Sequence, residues 1–568
     1  MRAVGAMLLA AALASAATPA CAAPDAAEAV WLHGNIVTGT RLTGVDPERV
    51  QALAIAHGRI IATGTDAQIL RLRGPKTWLV DLQGAFVMPG FNDAHLHLAD
   101  AGRQKLQTDL TGVRSLADML ARVAAAARAS RGGGWILGGG WDHTLWDAKQ
   151  LPSRQDLDRV TQGHPALLDR IDGHIAIANS AALAAAGLDR ATADPPGGKL
   201  DRDTGGELTG ILRETARRAV EAQIPPLTHA ERRQALELSI ADAIAHGLTS
   251  AQDYSSWDDF LIYEDMEREG RLALRISEWL TFNDPLPTLI RERAAHSADD
   301  AQLRTGMLKG FMDGSLGSRT AALEAPYSDD PTNRGIPRYD PATLNAMTVE
   351  RARAGFQIGF HAIGDRGVSM ALDAFAAAEA ALPARAPADF RFRIEHDQVI
   401  APQDLPRQAA LQVIASMQPS HLLSDMRWAR ERLGAERARY SYAWKSMLDH
   451  HIALAFGTDY PVEPVTPFRG LYAAVTRAAE PGGADAVAGG VYFAEERVTI
   501  AQALSAYTQG AAYAERMEEH KGRLVAGQLA DFVVLDRDPL SARAQQLLET
   551  RVLRTVVGGR TVYSCRCR

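Results

Sequence analysis

Six side chains spread across a 568-residue chain are of the kinds that hold divalent metal ions. They are His95 and His97 in PGFNDAHLHLAD, Lys309 in LKGFMDGS, His361 in GFHAIGD, His396 in RIEHD and Asp459 in AFGTDYPVEP. Each lies at or near the end of a short apolar run that reads as a buried strand, which is where an α/β barrel keeps its reactive groups. His95 and His97 stand two apart, so on a strand both rings point to one face. Alone, that spacing is common among surface histidines. Its setting beside PGFND, which breaks the strand near its end, turns the reading towards a metal, and ions such as zinc favour imidazole nitrogen. His361 and His396 each close a strand-like run and follow Lys309 on successive strands, where they can hold a second ion. Glu395 alternates to the other face of its strand and reads as structural.

Lys309 is unusual because the chain has only seven lysines and this one interrupts an apolar run. Burying an unpaired ammonium is costly. Two readings follow: a pocket lysine paired with Asp313, or an amine deprotonated by desolvation that has captured carbon dioxide as a metal-bridging carbamate. Asp459 ends the last strand-like run, just before Pro461 turns the chain out of the sheet. An Asp in a turn is commonly a cap. Beside an activated water it can accept a proton and pass it to a leaving group. His174 in RIDGH, with Arg170, reads equally as a substrate contact or a structural group. Trp141, Trp146, Trp279, Phe311 and Tyr460 read as core aromatics, several of which flank strand ends. There is no GxSxG elbow, no GxxxxGK[ST] loop and no HExxH helix, which removes support for serine hydrolases, nucleotidases and thermolysin-like enzymes.

Eight strand-like segments arise in order: FVMPGFND, LTSAQDY, LRISEWLTF, MLKGFMDG, FQIGFHAIG, FRIEHD, QVIASMQPS and IALAFGTDY. They alternate with amphipathic stretches, the pattern of parallel strands covered by helices, and their number predicts an α/β fold with a closed (β/α)8 TIM-like barrel. The strand-and-turn texture of residues 28–85 returns at 521–568, so the two ends are expected to build one β-sandwich, with the barrel (86–520) inserted between its halves. The first connection is far too long for a barrel loop: about 140 residues, roughly Gln104 to Ala245, against two to six. It is read as a subdomain over the barrel mouth that walls the substrate pocket.

A formal net charge of −7 without a basic stripe gives no reason to expect nucleic acid, so a small-molecule substrate is the expected partner; a homo-oligomer is compatible with the sequence. Residues 1–22 carry a basic Arg2, an apolar stretch of roughly a dozen residues and small residues before Ala23, the pattern of a secretory signal. That stretch is short of the ~20 residues that span a bilayer, and no transmembrane segment is expected in the mature chain. Export to a Gram-negative-type periplasm is expected in preference to lipid anchoring at Cys21, whose TPA context fits a lipobox poorly. Cys565 and Cys567, with one residue between them, cannot staple the fold.

From Val30 to Tyr563 the chain resembles the amidohydrolase superfamily, specifically amidohydrolase family 3, which includes N-substituted formamide deformylases. The resemblance is carried in order by PGFNDAHLHL, GGGWDHTLW, RIDGHIAIANSAAL, GELTGIL, LKGFMDGSLGSRTA, FHAIGD, RIEHD, GTDYPVEP and LADFVVLDRDP. It implies that His95, His97 and Asp459 hold one metal and His361 and His396 another, with carboxylated Lys309 as the bridge and one or two zinc ions in all. Arg319, in DGSLGSRTA, matches a family stretch and joins Trp141, Arg170 and His174 as a candidate substrate contact. The expected reaction is hydrolysis of an amide or related non-peptide C–N bond by a metal-activated hydroxide, with Asp459 as general base and acid. The alternatives are a cyclic-amide or ester hydrolase on the same centre, or a binding protein of this fold without turnover.

Overall fold

A computed structural model describes residues 26–130, 134–143, 146–170, 175–195, 198–297, 300–481 and 490–566. The proposed signal segment, Cys21 and His174 lie outside the described residues. The expected barrel is present. Eight parallel strands form one sheet in sequential order: Phe91–Leu96, Leu248–Asp253, Arg275–Thr281, Leu303–Phe311, Ile358–Ala362, Arg393–His396, Ile414–Met417 and Leu454–Phe456. They are referred to below as strands 1 to 8. Helices follow most of them and cover the outside, which is why these strands are buried along almost their whole length.

The first strand-like segment, FVMPGFND, divides into two elements. Phe86–Pro89 belongs to a six-stranded sheet, where it pairs with Phe532–Leu535 from the other end of the chain. The chain then changes sheets at Gly90 and continues as strand 1 through His95, so PGFND begins the barrel strand and does not end it. Glycine is required here, because a Cβ would lie 2.2 Å from the Thr249 side chain.

Strands 8 and 1 have no regular ladder between them, and polar contacts close the barrel instead. The Asp459 amide donates to the His95 carbonyl (2.7 Å), the His97 amide donates to the Tyr460 carbonyl (2.8 Å), and Asp93 accepts from the Thr458 amide (2.9 Å) and hydroxyl (2.6 Å). Gly457 permits this approach: a Cβ there would be 2.6 Å from the His95 nitrogen. The closure therefore passes through the segments that carry three of the candidate ligands.

The two chain ends build two stacked sheets. One is formed by Ala27–Leu32, Ala52–Ala56, Arg59–Gly64 and Arg73–Asp81, and the other combines Asn35–Val37, Arg49–Val50 and Phe86–Pro89 with Phe532–Leu535, Val552–Val557 and Arg560–Ser564. Trp31, Ile55, Ile60, Val87, Phe532 and Val556 share the core between them. The long first connection holds a further six-stranded sheet, from Thr108–Asp109 to Leu208–Glu214, in which Asn179 caps the helix Ser180–Ala185. Its last portion, the helix His229–Ala245, packs against the helix Leu98–Leu106. Among the described residues no helix is long and apolar enough to cross a membrane.

Sandwich and barrel are joined by a buried ion pair. Arg275, at the start of strand 3, donates from Nε (2.6 Å) and Nη2 (2.9 Å) to the two oxygens of Asp531, which also accepts from the Gly558 amide (2.7 Å). Removing one partner of such a pair strands a buried charge. Asp531→Ala is expected to lower stability by about 3–5 kcal/mol in denaturant unfolding, and a second change, Arg275→Leu, is expected to recover a large part of the loss.

Candidate metal centre

The strand ends bring five histidines, Lys309 and Asp459 to one buried point at the barrel mouth. His97 Nε2 lies 3.0 Å from Asp459 Oδ1, and His95 Nε2 lies 3.6 Å from the same oxygen. Lys309 Nζ is 3.0 Å from His95 Nε2. The His396 ring centroid is 4.8 Å from that of His95 and 4.5 Å from that of His361. His421 completes the group, with Nε2 3.3 Å from Asp459 Oδ2.

The ring nitrogens turned away from this point are already engaged. His95 Nδ1 meets Glu395 Oε2 (2.9 Å), His97 Nδ1 the Tyr254 carbonyl (3.0 Å), His396 Nδ1 the Gln418 side-chain oxygen (2.7 Å) and His361 Nε2 the Gly314 carbonyl (3.0 Å). These partners accept hydrogen bonds, so in each neutral ring the engaged nitrogen carries the proton and the other keeps a lone pair. Lone pairs and a carboxylate thus converge, and Asp459 Oδ1 and His421 Nε2 are buried without a well-aligned hydrogen-bond partner. Such a donor set fits a divalent cation. His95, His97 and Asp459 form one close-set group, and His396, His421 and Asp459 form another.

Electrostatics agree with the geometry. Burial drives His95 and His396 well below ordinary imidazole values and takes His361 down to about 4, reinforced at His95 and His361 by the charge of Lys309 and at His396 by His361. At His97 and His421 burial acts in the same sense, yet the hydrogen bond and charge of Asp459 outweigh it and raise both. Burial also opposes ionisation of Asp459, but the surrounding histidines hold it well below the usual carboxylate range. Lys309 is lowered to about 8 by burial, against the pull of Glu395 and Asp459. Its ammonium lies among the rings of Trp279 (5.1 Å), Phe311 (5.2 Å) and Tyr254 (5.9 Å). It does not pair with Asp313, whose carboxylate accepts from the amides of Ala322, Ile363 and Gly364 and fixes the loops around it.

The other candidate contacts are dispersed. Trp141 is wholly enclosed in the insert, where its indole donates to the Leu168 carbonyl (3.0 Å), so it presents no face to a ligand. Arg170 bonds Asp142 (2.7 Å) and lines a separate cleft between insert and barrel with Tyr460 and Glu463. Arg319 pairs with Asp329 (2.7 Å), while its neighbours Ser315 to Gly317 line the cavity over the histidines. That cavity, of about 480 Å³, is bounded by the metal-type cluster on one side and by Phe311, Ile363, Gln398, Asp425, Trp428 and Glu463 on others.

Residues 79–563 match the amidohydrolase family model. The chain belongs to the amidohydrolase family. It is 35% identical over 524 residues to Protein LONG AFTER FAR-RED 3 of Arabidopsis thaliana, covering 90% of this chain and 88% of the relative. N-substituted formamide deformylase of Arthrobacter pascens is 26% identical, with 90% and 94% covered. Among solved structures, an uncharacterized metal-dependent hydrolase of Pyrococcus furiosus superposes with a TM-score of 0.75 at 32% identity, over 90% of this chain and all of that one. Family membership places this amidohydrolase among the hydrolases.

Two contributors were not foreseen from sequence. His421 follows strand 7 in QPSHLL, and that position at a strand end was its only signal. Glu395 does not turn away from the site. Its carboxylate and the His396 ring both meet the cluster because His396 adopts a positive φ of 72°, which breaks strand alternation. Glu395 in turn pairs with Arg393 (2.8 Å), which also donates to the Ala94 carbonyl (2.8 Å) and Ser416 (2.8 Å) beneath the site. Groups that orient a ligand histidine in this way typically contribute 10–100-fold in metal affinity. Glu395→Gln is therefore expected to weaken divalent-cation binding by about that factor, read with added zinc as the probe ion in competition with a chromophoric chelator; unchanged affinity would rule out this orienting role.

Proposed function

We propose that this chain is a divalent-metal-dependent hydrolase of amides or related non-peptide C–N bonds, with zinc as the first metal to test and Lys309 carboxylated. The observation that carries the reading is the convergence of imidazole ring nitrogens on the buried Asp459 carboxylate, with the Lys309 amine 3.0 Å from one of them. The deformylase among its relatives, whose name denotes cleavage of an N-substituted formamide, supports the choice of bond. The amino-terminal sequence supports export.

In this reading His95, His97, His361, His396 and Asp459 would hold the metal together with the carbamate oxygens of carboxylated Lys309. A divalent ion bound there supplies Lewis acidity and brings the pKa of its water from 15.7 towards ~7. Lys309, with an affinity for protons near 8, has a neutral fraction at mildly basic pH that can add to carbon dioxide, forming the N–C bond of a carbamate and releasing one proton. Asp459 is held ionised, so it is ready to accept a proton from the attacking water and return it to the departing nitrogen. His421, 3.3 Å away, restrains the second Asp459 oxygen during that transfer.

Lys309→Ala is expected to lose metal, measured by elemental analysis of purified protein. Asp459→Asn is expected to retain metal more fully while activity falls by about 10²–10⁴. A panel of N-acyl amines, lactams and aryl esters separates the C–N reading from its cyclic-amide and ester alternatives. Chelation should abolish turnover and added zinc restore it; full activity in both variants would overturn the assignment.

A further inference from the structure

Resting on the hydrolase reading above, we propose that the substrate carries a cationic nitrogen about one helical turn, ~6 Å, from the bond that is cleaved, and that Asp425 recognises it. The helix Pro419–Asp425 leads away from strand 7 along the wall of the catalytic cavity. His421, Ser424 and Asp425 have the i, i+3, i+4 spacing of one helix face, and all three line that cavity. His421 marks the inner end of this stripe, against Asp459. Asp425 stands one turn further out, followed by the indole of Trp428.

The hydrogen bonding of Asp425 is one-sided. Gln398 Nε2 (2.9 Å) and the Tyr442 hydroxyl both donate to Oδ2, whereas Oδ1 has no protein donor among the described residues. A largely enclosed carboxylate gains from a further donor, and the cavity is where that donor can come from. The second carboxylate on this wall, Glu463, is already occupied by Ser424 on one oxygen and Arg469 on the other. Among the described residues that line the cavity, Lys309 is the one lysine or arginine, and it belongs to the metal-type cluster. Arg432 lies at the Trp428 ring (4.4 Å) but spends its donors on the Leu316 and Gly317 carbonyls. An anionic substrate tail would face carboxylates without a basic partner at this end. A cationic one would find a charge-assisted hydrogen bond at Oδ1 and an aromatic wall beside it. The cavity volume suits such a small, singly extended ligand.

The test is calorimetric binding and steady-state hydrolysis with three ligands of similar length: mono-N-acetyl-1,4-diaminobutane (cationic), N-butylacetamide (neutral) and N-acetyl-4-aminobutyrate (anionic). 5-Aminopentanoyl anilide serves as a second cationic probe, with the charge on the acyl side at a similar distance from the amide. Native protein is expected to favour a cationic probe over its neutral counterpart by tenfold or more. Asp425→Asn, or Asp425→Ser should the first variant fail to fold, is expected to remove most of that preference. Shortening the diamine to two carbons should weaken it. Equal or better binding of the neutral and anionic ligands, or a cationic preference that survives both variants, would overturn the proposal. Hydrolysis of neutral amides with no cationic preference would sink the role of Asp425 and leave the hydrolase reading standing. Selective cation binding without hydrolysis of any probe would support Asp425 and count against the hydrolase reading.

Discussion

The site depends on one electrostatic constraint: imidazole lone pairs and an ionised carboxylate are held together in a buried place where they repel unless a positive charge lies between them. The constraint is imposed from behind. Glu395, the Tyr254 and Gly314 carbonyls and Gln418 each take the proton of one ring, so four histidines are fixed in tautomer and in aim. The fold accommodates the arrangement because those acceptors belong to the same barrel strands and the loops that follow them. Ligand geometry and barrel geometry are therefore one problem, solved by the same hydrogen bonds.

This coupling is closest where strand 8 meets strand 1. Asp93 grips Thr458, and the His95 carbonyl receives the Asp459 amide, so the contacts that close the barrel also set His95 against Asp459. Gly457 and Gly90 matter for steric reasons: the first lets the two strand ends approach, and the second lets the chain leave the sandwich sheet and enter the barrel beside Thr249. The Arg275–Asp531 pair fixes the other end of the barrel to the sandwich, which itself requires both ends of the chain. A site assembled from residues far apart in sequence thus rests on a scaffold whose two halves are equally far apart.

The region beyond the metal-type cluster has a different character. Its floor is a set of lone-pair donors that suits many hydrolytic reactions, while the outer wall is formed by the helix after strand 7, the loop after strand 8 and the loop around Leu316. Arg170 and the insert bound an adjoining cleft, and Trp141 stabilises the insert from within. In folds of this kind chemistry commonly sits at the strand ends and selectivity in the elements that follow them.

Much of this was legible in the sequence. Alternation of buried apolar runs with amphipathic segments is a local property, so it revealed the eight strands, and the His, Lys and Asp residues at their ends are those that the barrel brings together. The similar texture of the two termini likewise indicated one sandwich. Local pattern did not disclose that FVMP and FNDAHL belong to different sheets, because periodicity is the same on either side of Gly90. Nor did it disclose that Glu395 holds His95 or that His421 reaches Asp459, or that Trp141 and Arg319 turn elsewhere. Residue type and spacing are fixed along the chain, whereas the orientation of a ring, its protonated nitrogen and its partner are fixed by neighbours that only the closed barrel brings within reach.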